Sequence, residues 1–342
     1  MQGQTVWCGH RADLLRGFDT SKISRWPFIY AGTIPMPEQT PGSGRTRTPS
    51  PWTQPDFLGG EVDRNYRIDT SAGVTFLAKV QKDKDLRTLQ WQEAILVHLA
   101  SRDAGVSMPT IVPTSDGRLH SRYSLEANTA IVSVHNWLSG TELIKLPSHS
   151  DSLLTDIGAT SASITRALEG FDAPALHQSH HWDVTRSDRA IRSCLDDHPQ
   201  LAGEPYVWTV FNDALFSVRV AEPAIAGAYA MLRKEDPLRA LGLAVAGYQQ
   251  VQSLSADELE VVYPLAVARL CVQVLTLTAR SQSNPTEYGT RRMEHTLPTL
   301  GRLLEIEPAA ATTYLREARG DVAQAKVSRV RARATRTRAG RR

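Results

Sequence analysis

Hydrophobic periodicity divides the chain into a mixed strand and helix region followed by a helical region. At the start of the ordered patterning, the runs FLGG, NYRID and VTFLAKV predict strands, and a TSAG turn joins the last two. From Leu86 to Ala100, leucines and an isoleucine recur on one helical stripe and predict an amphipathic helix. The continuous apolar run TAIVSVHNWLSG predicts a buried strand that ends in a turn.

Helical spacing takes over after Pro147. Leucines and isoleucines predict a helix from Asp151 to Leu168, and Ser255 with Glu258 predicts a capping box before a long apolar helix. Further helices are predicted over Ala221–Leu232, Pro237–Val251 and residues 285–318. This order indicates two lobes with a hinge near residues 135–141, and a cleft between lobes is the expected ligand site.

The two ends of the chain differ from its middle. Residues 27–55 hold seven of the 19 prolines, so residues 1–56 are predicted to be a disordered leader. Residues 326–342 carry eight Lys or Arg and no acid, so the net charge of +3 leaves 3 − 8 = −5 for the rest. Residues 321–342 are therefore predicted to be a basic disordered tail, and nucleic acid is an unlikely partner for the acidic body.

Cysteine usage and hydropathy predict a cytoplasmic protein. The three cysteines are far apart in the sequence and fit neither a disulfide framework nor a paired CxxC zinc site. The N-terminus lacks the apolar stretch of a signal peptide, and no apolar run is expected to reach the roughly 20 residues that span a bilayer. We therefore expect no membrane partner.

Several strong catalytic motifs are absent. The sequence has no P-loop pattern, no GxGxxG, no GxSxG and no HExxH, which excludes P-loop NTPases, Rossmann dehydrogenases, α/β-hydrolases and zincins. His177, His180 and His181 have a spacing that a metal ion could use on a helix. Gly170 and Pro174 indicate a loop there instead, and no carboxylate or cysteine completes a ligand set, so no metal site is predicted.

Lys79 is the most informative residue of the mixed region. It lies in an apolar strand that follows a turn and precedes the amphipathic helix with Gln90 and Glu93. Kinase N-lobes have this layout, in which the strand lysine holds nucleotide phosphates and a helix acid orients it. The alternative is a lysine on an exposed edge strand.

Longer stretches carry a family resemblance. The segments occur in the order LGGEVDRNYRI, FLAKV, LQWQEAILVHL, MPTIVPTSDG, VSVHNWLSG, FDAPALHQSHHWDV and VFNDALFSVRVAEPAIAGAYAML. Over about residues 57–318 the chain resembles the aminoglycoside phosphotransferase superfamily, and within it the hydroxylysine kinase branch. The resemblance implies a protein-kinase-like two-lobed α+β fold, with a mixed N-lobe over residues 57–136 and a helical C-lobe over residues 137–320.

The resemblance also implies an activity and site residues. The family phosphorylates small amino alcohols from ATP or GTP with Mg²⁺, and Lys79 matches its phosphate-binding lysine. The hinge that meets the base would be formed by Val134, His135, Asn136 and Trp137. The family's helix acid falls on Gln90, and Glu93, one turn further along, could substitute for it.

The catalytic segment departs from the family pattern. The family places an HGDxxxxN loop, which supplies the base and a metal ligand, before an IDFGD strand. This chain has SDRAIRSCLDDHPQLAGEPY instead, which predicts a C-lobe truncated at the catalytic loop. In VFND, Val210 replaces the metal-binding aspartate and Asn212 the glycine, while Asp213 keeps the second acid and is the candidate catalytic residue.

The resemblance and these departures together leave two functions open. The first is a phosphotransferase of the hydroxylysine kinase type, and the second is an inactive pseudokinase, because valine cannot ligate Mg²⁺. Asp196, Asp197 and His198 could supply a base, but Pro199 and Gly203 predict an ordinary loop. A third hypothesis, a tail that binds RNA or DNA, depends only on the basic C-terminus.

Overall fold

A computed structural model gives the fold. It describes residues 55–59, 63–82, 86–125, 128–172, 182–200, 219–283 and 287–318. These residues form two compact units. The sheet unit comprises the described residues up to Gly140 together with 170–172, and the helical unit comprises 141–169 together with the described residues from 182 onwards.

An antiparallel sheet dominates the sheet unit. Its described strands are β1 (Asp56–Gly59), β2 (Arg64–Asp69), β3 (Thr75–Lys82), β4 (Ile111–Val112), β5 (Ser121–Leu125) and β6 (Asn128–Asn136). The strands are ordered β1, β2, β3, β6, β4, and β5 also pairs with β6. The helix α1 (Leu86–Ala100) follows β3 and has the predicted bounds.

The turn between β2 and β3 has the chemistry that its sequence predicts. Gly73 has φ 77°, which glycine adopts without a Cβ clash. Its N–H donates to Thr70 O at 2.9 Å, and the Thr70 hydroxyl accepts from Val74 N at 3.0 Å. These bonds fix the register of β2 on β3, in which Asn65 lies opposite Lys79.

The two faces of this sheet have different chemistry, because successive side chains on a strand point to opposite sides. On β3, Phe76, Ala78 and Val80 point into an apolar core, whose other buried members are Tyr66, Ile68, Ala130, Val132 and Val134. Leu77, Lys79 and Gln81 alternate with them. The opposite face therefore presents polar groups in the middle of the sheet.

The helical unit contains the remaining described α-helices. They are α2 (Asp151–Ala167), α3 (Ser187–Asp197), α4 (Ala221–Met231), α5 (Pro237–Gln249), α6 (Ala256–Ser283), α7 (Glu287–Leu303) and α8 (308–318). Side-chain caps begin several of them. The predicted capping box before α6 is confirmed, since Glu258 N donates to Ser255 Oγ at 3.1 Å and Ser255 N to Glu258 Oε2 at 2.8 Å.

Two glycines allow α2 and α5 to touch backbone to backbone. A Cβ at Gly158 of α2 would lie 1.8 Å from the Ala244 oxygen, and one at Gly247 of α5 would lie 1.9 Å from the Thr155 oxygen. Neither glycine has an unusual φ, so the requirement is for space rather than conformation. Each helix therefore has a glycine where the backbone of the other helix approaches it.

The helix α6 is the apolar centre of the helical unit. Its buried residues include Val262, Leu265, Leu270 and Leu275. Residues Ala256–Gln282 are long and apolar enough to cross a membrane by length and composition, and 83% of the most apolar window is buried inside the structure. The expectation of no such run was wrong, because Arg269 is the only charge between residues 261 and 279.

The segment that replaces the catalytic loop is partly helical. Residues 187–197 form α3, and Asp196 and Asp197 lie exposed in its last turn rather than in a loop. The loop prediction was wrong there, because Pro199 lies beyond the helix end and does not oppose it. Ala190, Ile191 and Cys194 have helical spacing, and they bury one face of α3 in the helical core.

Candidate functional site

Lys79 lies on an inner strand. Its strand β3 pairs with β2 on one side and with β6 on the other, so the alternative of an edge-strand lysine is wrong. In the register, Asn65 of β2 and Ser133 of β6 flank Lys79. The lysine side chain is 30% exposed. A cationic group is therefore held in the middle of a sheet face while part of it still reaches solvent.

Asp63 is the ion-pair partner of Lys79. The Lys79 Nζ lies 3.2 Å from Asp63 Oδ2, and the same oxygen accepts from Gln81 Nε2 at 2.9 Å. Asp63 comes just before β2, and its side chain is 16% exposed. Asp63 was not among the residues predicted from the sequence, although it lies in the LGGEVDRNYRI segment.

The helix acid has a different partner from the one suggested by the sequence. Glu93 is buried on α1, and its Oε1 lies 2.7 Å from His120 Nδ1. Gln90, on the same helix, is exposed. The structure thus pairs Lys79 with Asp63 and Glu93 with His120, and the suggested substitution of Glu93 as the partner of Lys79 is not what the contacts show.

His135 is a buried titratable group on the same face of β6 as Ser133. The Ser133 Oγ and His135 Nε2 are 3.0 Å apart. Burial, and then the charge of Lys79, lowers the pKa of His135 from 6.5 to about 4. The imidazole is therefore neutral at pH 7 and adds no positive charge beside Lys79.

The remaining predicted hinge residues lie at the end of β6. Val134 is in the apolar core. The Asn136 side-chain oxygen accepts from Thr110 N at 2.6 Å, and the Asn136 backbone N–H donates to Thr110 O. Trp137 follows the strand, and the Arg67 guanidinium lies 5.4 Å from its ring centre. The irregular segment that follows β6 therefore begins at Trp137.

Other candidates lie outside the described residues. These are Val210, Asn212 and Asp213, and the histidines His177, His180 and His181. The truncation of the C-lobe at the catalytic loop also stays a prediction, because residues 201–218 are not described. Within the described part of the chain, no group of three or more His, Cys, Asp or Glu is placed to hold a metal ion.

Comparison with known proteins identifies the fold. No protein-family model matches the sequence, and no curated protein matches it. Among solved structures, the amicoumacin kinase hAmiN in complex with AMP-PNP, Ca²⁺ and Ami matches with a TM-score of 0.53 at 10% identity, over 75% of this chain and 88% of that one. The chain has a protein-kinase-like fold.

A second solved kinase structure also matches the fold of this chain. The microcompartment-associated aminopropanol kinase matches with a TM-score of 0.51 at 14% identity, over 78% of this chain and 94% of that one. The predicted two-lobed α+β fold is confirmed by these likenesses, and the sheet unit corresponds to an N-lobe and the helical unit to a C-lobe. At these identities the likeness concerns the fold alone.

Proposed function

We propose that this protein binds a nucleoside triphosphate through Lys79 and is a phosphotransferase of the aminoglycoside phosphotransferase type, acting on a small amino alcohol such as hydroxylysine. The inner-strand position of Lys79 carries the proposal. A partly exposed ammonium in the middle of a sheet face, in a kinase-like fold, is suited to bind phosphate oxygens.

The neighbours of Lys79 are compatible with a nucleotide. Asp63 holds the ammonium in the absence of phosphate, and an incoming phosphate has to compete with this carboxylate for it. Ser133 and the neutral His135 provide uncharged polar groups further along the sheet face. The amicoumacin kinase structure holds AMP-PNP, a nucleotide analogue, which agrees with this ligand class.

The alternative function is a pseudokinase, and the partner of Glu93 favours it. Active protein kinases require the ion pair between the strand lysine and the helix acid. Here the helix acid pairs with His120, and Val210 stands at the position that the resemblance assigns to a metal-binding aspartate. The described residues do not fit a Mg²⁺ site, so no catalytic step is assigned to a metal.

Nucleotide binding and turnover separate these functions. We would measure ATP and GTP binding to the full chain by calorimetry, then assay turnover with Mg²⁺ and a panel that includes 5-hydroxylysine. Lys79→Ala should weaken nucleotide binding at least tenfold, while Lys145→Ala, an exposed lysine of the helical unit, should not change it. Binding without turnover would identify a pseudokinase, and equal binding by both variants would contradict the role of Lys79.

A further inference from the structure

A cavity of about 320 Å³ lies in the helical unit, where the segment before α2 meets the segment before α5. Its lining comes from two stretches, 147–154 and 233–240. Three cationic side chains line it, those of Arg233, Lys234 and Arg239. This cavity, called here the basic pocket, belongs to a different unit from Lys79.

Arg233 has a strained backbone at the wall of the basic pocket. Its φ is 63°, and within the described part of the chain it is the only residue other than glycine with a positive φ. Such a conformation costs free energy and persists where surrounding contacts impose it. The guanidinium donates to Ile144 O at 2.9 Å and to Leu146 O at 3.0 Å, which holds these two residues in place and leaves further N–H groups for a ligand.

Lys234 donates its hydrogen bonds to neutral groups. Its Nζ donates to Leu232 O at 3.1 Å and to His149 Nδ1 at 2.7 Å. His149 Nε2 lies 2.9 Å from Leu143 O, a carbonyl that can only accept, so Nε2 carries the proton and Nδ1 is the acceptor. The ammonium therefore keeps one N–H for a ligand.

The acidic residues that line the basic pocket do not pair with Arg233 or Lys234. Asp151 makes a bidentate ion pair with Arg239, and Asp236 caps α5 by accepting from Arg239 N at 2.9 Å. Glu235 is exposed at the rim. Among the residues that the structure describes, no carboxylate lies within ion-pair distance of Arg233 or Lys234.

The local electrostatics favour an anion. Burial, and then the neighbouring charge of Arg233, lowers the pKa of Lys234, so the positive charge is held there at a cost. A bound anion would offset both effects. The N-terminal ends of α2 and α5 lie in the same wall and add partial positive charge to that of the side chains.

We propose that the basic pocket binds a small phosphate-bearing molecule, with Lys234 and Arg233 contacting the phosphate oxygens. Two adjacent cations suit a dianion better than a monovalent carboxylate. The volume is near the lower limit of small-molecule sites, so it suits inorganic phosphate or a small phosphomonoester. The proposal is independent of nucleotide binding at Lys79.

Calorimetric titration of inorganic phosphate into the full chain at fixed ionic strength tests this site. We expect saturable binding that weakens at least tenfold in Lys234→Gln. Ser148→Glu is a second variant, because Ser148 is an exposed lining residue and a carboxylate there should repel the anion. Far-ultraviolet circular dichroism would show that both variants are folded.

One control and two further ligands complete the design. Lys145→Gln, outside the pocket, should bind phosphate like the unchanged chain. Glycerol phosphate should bind as phosphate does, and acetate at least tenfold more weakly. Absent saturable binding, equal loss in Lys234→Gln and Lys145→Gln, or equal binding of acetate would each overturn the proposal.

Discussion

The sheet unit and the helical unit differ in where they place polar groups. The sheet unit has a small apolar core on one face and Lys79, Ser133 and His135 on the other. The helical unit buries a long apolar helix among its neighbours and brings α2 and α5 into backbone contact. Close packing of helices therefore stabilises the helical unit, while the sheet face presents titratable groups that a ligand can use.

The largest expected effect concerns the helix contact. Gly158→Ala should destabilise the chain by about 3 kcal/mol, because the new methyl group would meet the backbone oxygen of Ala244 and force the helices apart. Urea unfolding would measure it. Gly301→Ala on α7 is the matched control, since nothing lies within 4 Å of a Cβ there, and it should stabilise by roughly 0.5–1 kcal/mol. Similar losses in both variants would contradict the close-contact interpretation.

The next largest effect is expected at His135, on the sheet face that carries Lys79 and Ser133. Because its pKa falls from 6.5 to about 4 on folding, the folded state binds fewer protons than the unfolded state between these values. Stability should therefore decrease as the pH falls through this window, by roughly 2–3 kcal/mol from this residue.

The control is the variant His135→Asn. The free energy of unfolding of both proteins is measured with urea between pH 7 and pH 4. The pH dependence of the variant should be shallower than that of the unchanged chain. Parallel curves would show that His135 does not titrate as its burial requires. Lys79→Ala should raise the pKa of His135, because a neighbouring positive charge is removed.

A smaller effect is expected at Tyr263 in the helical core. Its buried hydroxyl donates to Leu303 O, at the end of α7, at 2.6 Å. Tyr263→Phe should destabilise by about 1–2 kcal/mol, because the carbonyl loses its partner away from water. Tyr248→Phe, whose hydroxyl bonds to the partly exposed Gln252, should cost less in the same unfolding assay.

The smallest change in stability is expected at Asp63. Asp63→Asn should change the free energy of unfolding by less than about 1 kcal/mol, as is usual for an ion pair near the surface. It should also tighten nucleotide binding several-fold, because Lys79 loses the carboxylate that competes with phosphate. Asp69→Asn, which removes a carboxylate paired with Arg67, is the control and should leave the affinity unchanged. Weaker binding in Asp63→Asn would show that this carboxylate helps the nucleotide to bind.

The sequence predicted the elements whose signals are local. The bounds of α1 and the capping box of Ser255 and Glu258 are confirmed, because periodicity and caps act within a few residues. The partners of Glu93 and Lys79 were not predictable in the same way. His120 lies 27 residues from Glu93, and only tertiary packing brings them together.

The helix α6 has a consequence for synthesis of the chain. Residues 261–279 leave the ribosome before α7 and α8, which later cover part of their surface, so this apolar stretch first emerges with only the earlier helices to pack against. In the folded protein, Arg269 lies over Trp182 and bonds to the Tyr229 hydroxyl. At the centre of a membrane span, an arginine raises the free energy of insertion by about 2.5–3.5 kcal/mol. The same side chain therefore opposes capture of the nascent segment by the insertion machinery.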